Sequence, residues 1–208
     1  GIITGAGEKA FCCGADIKDL LVFFIKALAL NSTFPTTPMR GLDVWKPLIA
    51  AINGAALGGG LEICLACDIR IASERARLGT PEVTIGVMPG WGGTQRLPRM
   101  IPWCKAAEIL LMGRPVDAQE AYRIGLVNKV VPPEQVMTEA KAWANEICQA
   151  APISVRAVKE AMIRGRDMTL DDGLRLENSL FAYLGGTKDY EEGIRAFKEK
   201  RKATYIGE

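Results

Sequence analysis

Two glutamates stand beside runs of glycine, and no other part of the chain concentrates so much possible chemistry. Glu62 closes Ala56-Leu57-Gly58-Gly59-Gly60-Leu61-Glu62. Glu82 follows Gly79-Thr80-Pro81 and precedes a second run, Gly86-Val87-Met88-Pro89-Gly90-Trp91-Gly92-Gly93. Glycine lets a backbone come close to a ligand and aim free N–H groups at it. Two carboxylates near such donors could move protons while the donors hold a developing oxyanion. Taken singly, each glutamate also fits an ordinary solvated position, Glu62 on a helix and Glu82 on a turn, because exposure is the usual state of that residue type.

Composition narrows the chemistry. The chain has no histidine, which removes Ser-His-Asp and Cys-His catalysis and most zinc and iron sites. Acid–base work therefore falls to Asp, Glu, Lys, Tyr or Cys, and no metal site is expected. A net charge of +2 gives no argument for nucleic acid or an anionic membrane. No apolar stretch reaches the roughly 18–20 residues that span a bilayer. Of the six cysteines, Cys64 and Cys67 form a C-x-x-C inside an apolar helical run, where buried reduced thiols are the expected state. Cys12-Cys13 reads as a small-residue pair, and these reduced thiols point to the cytoplasm.

The elements that must position the glutamates follow from pattern. Ile2-Ile3-Thr4 reads as a buried strand with a turn through Gly5 and Gly7. A helix is expected from about Ile17 to Leu30 and a loop from Asn31 to Met39. Leu48 to Ile52 and Ile69 to Ala72 read as strands, with a short one from Ala76 to Leu78, and the glycine run opens a helix near Gly59. After residue 90 the pattern becomes helical. Asp117-Ala-Gln-Glu120 and Asp189-Tyr-Glu-Glu192 both have capping-box spacing. Val136, Ala140, Trp143 and Ile147 share one helix face, as do Leu174, Phe181 and Leu184 with Leu180 beside them. The expectation is an α/β core with parallel neighbouring strands over residues 1–145, then a helical C-terminal layer over 146–208.

Taken together, these segments resemble the crotonase (enoyl-CoA hydratase/isomerase) superfamily. Phe11-Cys12-Cys13-Gly14-Ala15-Asp16-Ile17-Lys18 is similar to its first signature. Pro47 to Glu62 with Ala66-Cys67-Asp68-Ile69 is similar to the second. Pro81-Glu82 with Gly86, Pro89-Gly90 and Gly92-Gly93-Thr94-Gln95-Arg96-Leu97 is similar to the third. Gly125-Leu126-Val127 and Phe197-Lys198-Glu199-Lys200-Arg201 match later segments. The likeness runs from Gly1 to the C-terminus, in order and at family spacing.

That resemblance implies a spiral of ββα units with C-terminal helices that build homotrimers, often paired into hexamers. It implies a 2-enoyl-CoA hydratase without a separate cofactor, CoA being part of the substrate. The backbone N–H groups of Ala15 and Gly59 would form an oxyanion hole for the thioester carbonyl, and Glu62 and Glu82 would be the catalytic pair. Gly90, at the head of the next helix, would help position water. Lys18, Phe197 and Lys200 would contact CoA, although a solvated charged face and a core aromatic account for the same residues. Trp91 would shape the acyl pocket, and residues 20–44 would bear on acyl specificity. The family has several dozen residues before Ile2, so the chain, which opens inside a strand without a methionine, reads as lacking its N-terminal segment, with an exposed apolar strand edge. Other reactions of the superfamily stay open: a carnitinyl-CoA-type dehydratase, a cyclic dienoyl-CoA hydratase or an enoyl-CoA isomerase. An RNA-binding role through Lys198-Glu199-Lys200-Arg201-Lys202 is weaker, because Glu199 interrupts a small cluster that suits a solvated face or a CoA clamp.

Overall fold

The structure is a computed structural model and describes residues 1–18, 26, 37, 39 and 41–208. The expected helix beyond Lys18, most of the loop after it and the larger part of segment 20–44 lie outside the described residues. Ile17 and Lys18 themselves sit in a turn. The chain divides into two compact units, one of Ile2–Asp43 and Leu48–Lys141, the other of Gly1, Val44–Pro47 and Ala142–Glu208.

The first unit is built by strands that alternate between two sheets. β1 (Ile2–Thr4), β3 (Ile49–Ile52), β5 (Ile69–Ser73) and β8 (Lys129–Val131) form a parallel sheet in the order β1-β3-β5-β8. β2 (Ala10–Cys12), β4 (Ala55–Leu57), β6 (Arg77–Gly79) and β7 (Val116–Asp117) form the second, in the order β2-β4-β6-β7, antiparallel only between β6 and β7. Successive strand pairs thus stack as a spiral of ββα units, with helices α1 (Gly59–Ala66), α2 (Gly93–Met100), α3 (Trp103–Met112) and α4 (Ala118–Arg123) closing its turns. Ile-Ala-Ala-Ile of β3 is buried along its whole length, as expected for a central parallel strand covered on both faces. Ile52, Leu61, Leu65, Leu78, Leu97 and Ile109 fill the core between sheets and helices.

Polar staples hold the turns of the spiral. Asn53 accepts from Gly5 N (3.0 Å) and donates to the Gly7 carbonyl (2.8 Å), which fixes the turn between β1 and β2. Buried Arg70 donates to the carbonyls of Leu126 and Cys67, each at 2.7 Å, tying the end of α1 to the segment before β8. Buried backbone carbonyls need such partners. Cys64 and Cys67 are buried free thiols, and burial pushes the Cys64 thiol well above its usual range. α1 lies so close to β2 that a Cβ on Gly60 would sit 1.9 Å from the Cys12 carbonyl oxygen.

The second unit is helical: the end of α5 (Val136–Ile147), then α6 (Pro152–Gly165), α7 (Leu170–Leu184) and α8 (Lys188–Lys198). The expected apolar face of α7 is partly open, with Leu174 exposed and Phe181 74 % exposed in the single chain, while Leu180 and Leu184 are half-buried. Of the two expected capping boxes, Asp117 does cap α4 by accepting from Glu120 N (2.8 Å). Asp189 does not cap α8; Thr187 takes that place, accepting from Tyr190 N. Asp189 is 2 % exposed and instead accepts from Ile206 N (2.8 Å) and Gly207 N (2.9 Å). Glu192 accepts from Thr204 N (3.0 Å) and pairs with Arg201 (2.6 Å). Both acids therefore bind the C-terminal tail to α8, and Arg201 of the basic cluster is held by Glu192 and Glu199. Among the described residues, no helix is long and apolar enough to cross a membrane, and no group of three His, Cys, Asp or Glu side chains could hold a metal ion.

Gly60→Ala should lower stability by at least about 1–3 kcal/mol, the cost of forcing a methyl group into a filled site. Gly165→Ala, where nothing lies within 4 Å of the added atom, should be neutral or slightly stabilising. Thermal unfolding of the two variants compares them directly.

Candidate active site

The start of α1 is the point on which the expected residues converge. Gly58 has a positive φ of 56°, which turns the chain off β4, and its N–H is held by the Gly79 carbonyl (2.9 Å). Gly59 then opens the helix, where a backbone N–H has no intrahelical acceptor and the helix dipole favours an anion. The chain around Gly14 passes against this turn. Gly14 has φ +89°, and a Cβ on it would lie 3.1 Å from Gly59 N. The segments carrying Ala15 and Gly59 are therefore brought together by two glycines that leave little room for side chains, a Cβ on Gly59 lying 3.3 Å from Gly14 Cα. Beyond Ala15, Asp16 accepts from Lys18 N (2.8 Å), in a turn that leaves Lys18 exposed.

Glu62 lies in the first turn of α1 and is only 3 % exposed. Its Oε1 accepts from Trp91 N (2.7 Å) and Gly93 N (2.8 Å). Burial pushes its pKa up from the usual carboxylate range, while these two donors and the nearby Arg96 charge pull it back. Glu82 sits in a single 3₁₀ turn, Pro81–Ile85, which Gly86 ends in a left-handed conformation. It faces the start of α1 so closely that a Cβ on Gly58 would be 3.1 Å from Glu82 Oε1. Its Oε2 is buried without a hydrogen-bond partner among the described residues. Burial raises its pKa, its own backbone N–H lowers it, and the Glu62 charge raises it further. The two acids sense each other but live in different surroundings. One is a carboxylate with two fixed donors, which favour its charged form; the other has one buried oxygen without a partner among the described residues, which favours holding a proton.

Gly90 lies outside the helix it was expected to head, because α2 begins at Gly93 with Gly92 as its cap; Gly90 is exposed in the preceding loop. Trp91 packs its ring toward the start of α1, with Cε3 3.8 Å from a Cβ placed on Gly59. Phe197 and Lys200 belong to the helical unit: Phe197 is 86 % exposed on α8, and Lys200 follows it with a positive φ of 53°. The residues that side-chain reasoning missed are the donors to Glu62. They are backbone groups of Trp91 and Gly93, and the only trace they leave in the sequence is the Gly92-Gly93 pair that lets the loop close over a carboxylate.

A family model described as enoyl-CoA hydratase/isomerase matches residues 1–208. The chain is 45 % identical over 208 residues to (E)-benzylidenesuccinyl-CoA hydratase of Thauera aromatica, covering 99 % of this chain and 80 % of that protein. It is 45 % identical over 202 residues to short-chain-enoyl-CoA hydratase of Clostridium acetobutylicum, covering 97 % of this chain and 77 % of that protein. The crystal structure of enoyl-CoA hydratase from Bacillus anthracis superposes with a TM-score of 0.91 at 46 % identity, covering 100 % of this chain and 81 % of that one. With a family match along its whole length, and relatives this similar over most of theirs, the chain belongs to the enoyl-CoA hydratase/isomerase family.

Proposed function

We infer that the chain is an enoyl-CoA hydratase, a hydro-lyase that adds water across the 2,3 double bond of a 2-enoyl-CoA thioester and catalyses the reverse dehydration. The observation that carries the catalytic assignment is the pair of carboxylates at the head of α1, one holding two backbone N–H donors and the other with a buried Oε2 that has no hydrogen-bond partner among the described residues. In this reading the thioester carbonyl lies between the N–H groups of Ala15 and Gly59. Fixed donors need no reorganisation as charge develops on that oxygen, and losing one such donor costs about 10²–10³ in rate. Glu62, as the ionised acid, takes a proton from water as its oxygen bonds to C3. Electrons from the double bond move toward the carbonyl, giving an enolate-like species. Glu82, as the protonated acid, supplies the proton to C2. Both hold the water, and Gly90 on the adjoining loop helps to place it. Dehydration is the same path reversed.

The CoA phosphates need cations, and Lys18, on an exposed turn next to Ala15, suits that role. Phe197 and Lys200 would serve the CoA of a neighbouring subunit. An apolar α7 face left open in the single chain supports assembly into a homotrimer or a pair of trimers through residues 146–208. Among relatives, the named acyl groups range from short chains to one bearing a phenyl ring, and Trp91, whose ring lies beside Gly59, would choose between them. A cytoplasmic location fits six free thiols.

Purified protein should consume crotonyl-CoA with loss of conjugated thioester absorbance. Glu62→Gln and Glu82→Gln should each lower turnover by about 10²–10⁴ without unfolding the chain. Turnover like that of the wild type in both variants would reject the assignment.

The same pair makes a stability prediction. Glu82 binds its proton more tightly folded than unfolded, because burial and the Glu62 charge raise its pKa. It therefore contributes stability at low pH that is lost as pH rises through the raised folded value. Glu82→Gln, which stays neutral, should gain melting temperature relative to wild type as pH goes from about 5 to about 9, with no gain near pH 4. A difference that stays flat across this range would show that Glu82 titrates normally.

A further inference from the structure

Arg96 is a half-buried cation in α2 whose guanidinium is directed back into the loop that closes on Glu62. Its Nη1 donates to the Trp91 carbonyl (3.1 Å) and its Nη2 to the Met39 carbonyl (2.7 Å). Trp91 is thus gripped at both ends of one residue. Its carbonyl is held by Arg96, and its N–H is given to Glu62 Oε1 (2.7 Å). The next residue, Gly92, has φ +109°, and a Cβ there would be 1.9 Å from Arg96 Nη1. The guanidinium therefore occupies the space that a side chain would take. Gly93 follows and supplies the second donor to Glu62 (2.8 Å).

We propose that Arg96 is the positioning residue of the site, a fork that locks the Trp91–Gly93 backbone onto the Met39 backbone so that its two N–H groups stay aimed at Glu62. It touches no reacting atom in this arrangement and acts through the loop. The proposal rests on the reading of Glu62 as the ionised acid. A planar guanidinium suits the task because it can give two donors in different directions at once, which a lysine ammonium on a flexible stem does poorly. Among the described residues, the titratable and charged groups around Glu62 are few. Glu82 faces it from the 3₁₀ turn and Arg96 from α2; Cys64 lies on its own helix and Cys12 on β2. Arg99, the other cation of α2, is exposed and bonded to Gln95. Arg96 is thus the cation whose charge favours ionised Glu62.

The test compares Arg96→Met and Arg96→Lys with wild type by two readouts. In crotonyl-CoA hydration, Arg96→Met should lower kcat by about 10- to 100-fold with KM little changed, a loss of the size expected for donors that hold a charged group. The acidic limb of its kcat–pH profile should move to higher pH, and Arg96→Lys should restore part of that limb but not the full rate. The second readout is the titration of the Glu62 carboxyl carbon, followed by NMR in the free protein and assigned with Glu62→Gln. It should move to higher pH in Arg96→Met, whether or not the protein hydrates crotonyl-CoA. A Glu62 titration unchanged in both folded variants would overturn the proposal while leaving the hydratase reading intact. An inactive wild type with the shift still present would do the reverse. If Arg96→Met fails to fold, Arg96→Lys decides alone: a Glu62 titration and a kcat identical to wild type would overturn the proposal.

Discussion

A carboxylate placed in an apolar interior costs several kcal/mol unless fixed donors replace its water. Glu62 is such a carboxylate, and much of the local architecture exists to supply those donors. The Trp91 and Gly93 amides reach it only because Gly92 adopts a left-handed turn and carries no side chain. The helix that bears Glu62 starts where it does because Gly58 turns the chain off β4 with a positive φ and Gly60 lets α1 lie directly on β2. That same close approach brings the Gly14–Ala15 segment against Gly59. One set of glycine contacts therefore builds both the acid's socket and the candidate oxyanion hole.

Glu82 answers a different requirement. A turn of 3₁₀ helix presents it to the same helix start, but among the described residues its buried Oε2 finds no donor. The contrast separates the two acids by surroundings rather than by residue type, as a site that must both accept and donate a proton requires. The unfavourable burial of Glu82 is tolerated because the two four-stranded sheets and the helices around them form a continuous core that does not depend on it.

Much of this could be read before any coordinates. Ile49–Ile52 and Ile69–Ser73 carry apolar, β-branched runs long enough to declare buried parallel strands, and the glycine run announced the start of α1. The strands Ala10–Cys12 and Ala55–Leu57 escaped notice because three residues are too few to carry a period, and their pairing is a tertiary effect. The spacing of Asp189 and Glu192 fits a capping box equally well, but the tail that returns over α8 claims both carboxylates. Glu62 and Glu82 were legible as a pair by type and position, but their different environments were not. Those environments come from backbone amides and from the absence of a partner, neither of which has a side-chain signature. Arg96 was visible only as one residue of a motif, since it works on carbonyls from residues as distant as Met39.

The most direct test of this account is the pH titration of the two carboxyl carbons by NMR in the free protein, with each signal assigned from its Gln variant. The account predicts that Glu82 titrates above Glu62, and that replacing Glu62 with Gln lowers the Glu82 midpoint because a neighbouring negative charge is removed. Two independent midpoints, both in the ordinary glutamate range and each indifferent to loss of the other acid, would contradict it.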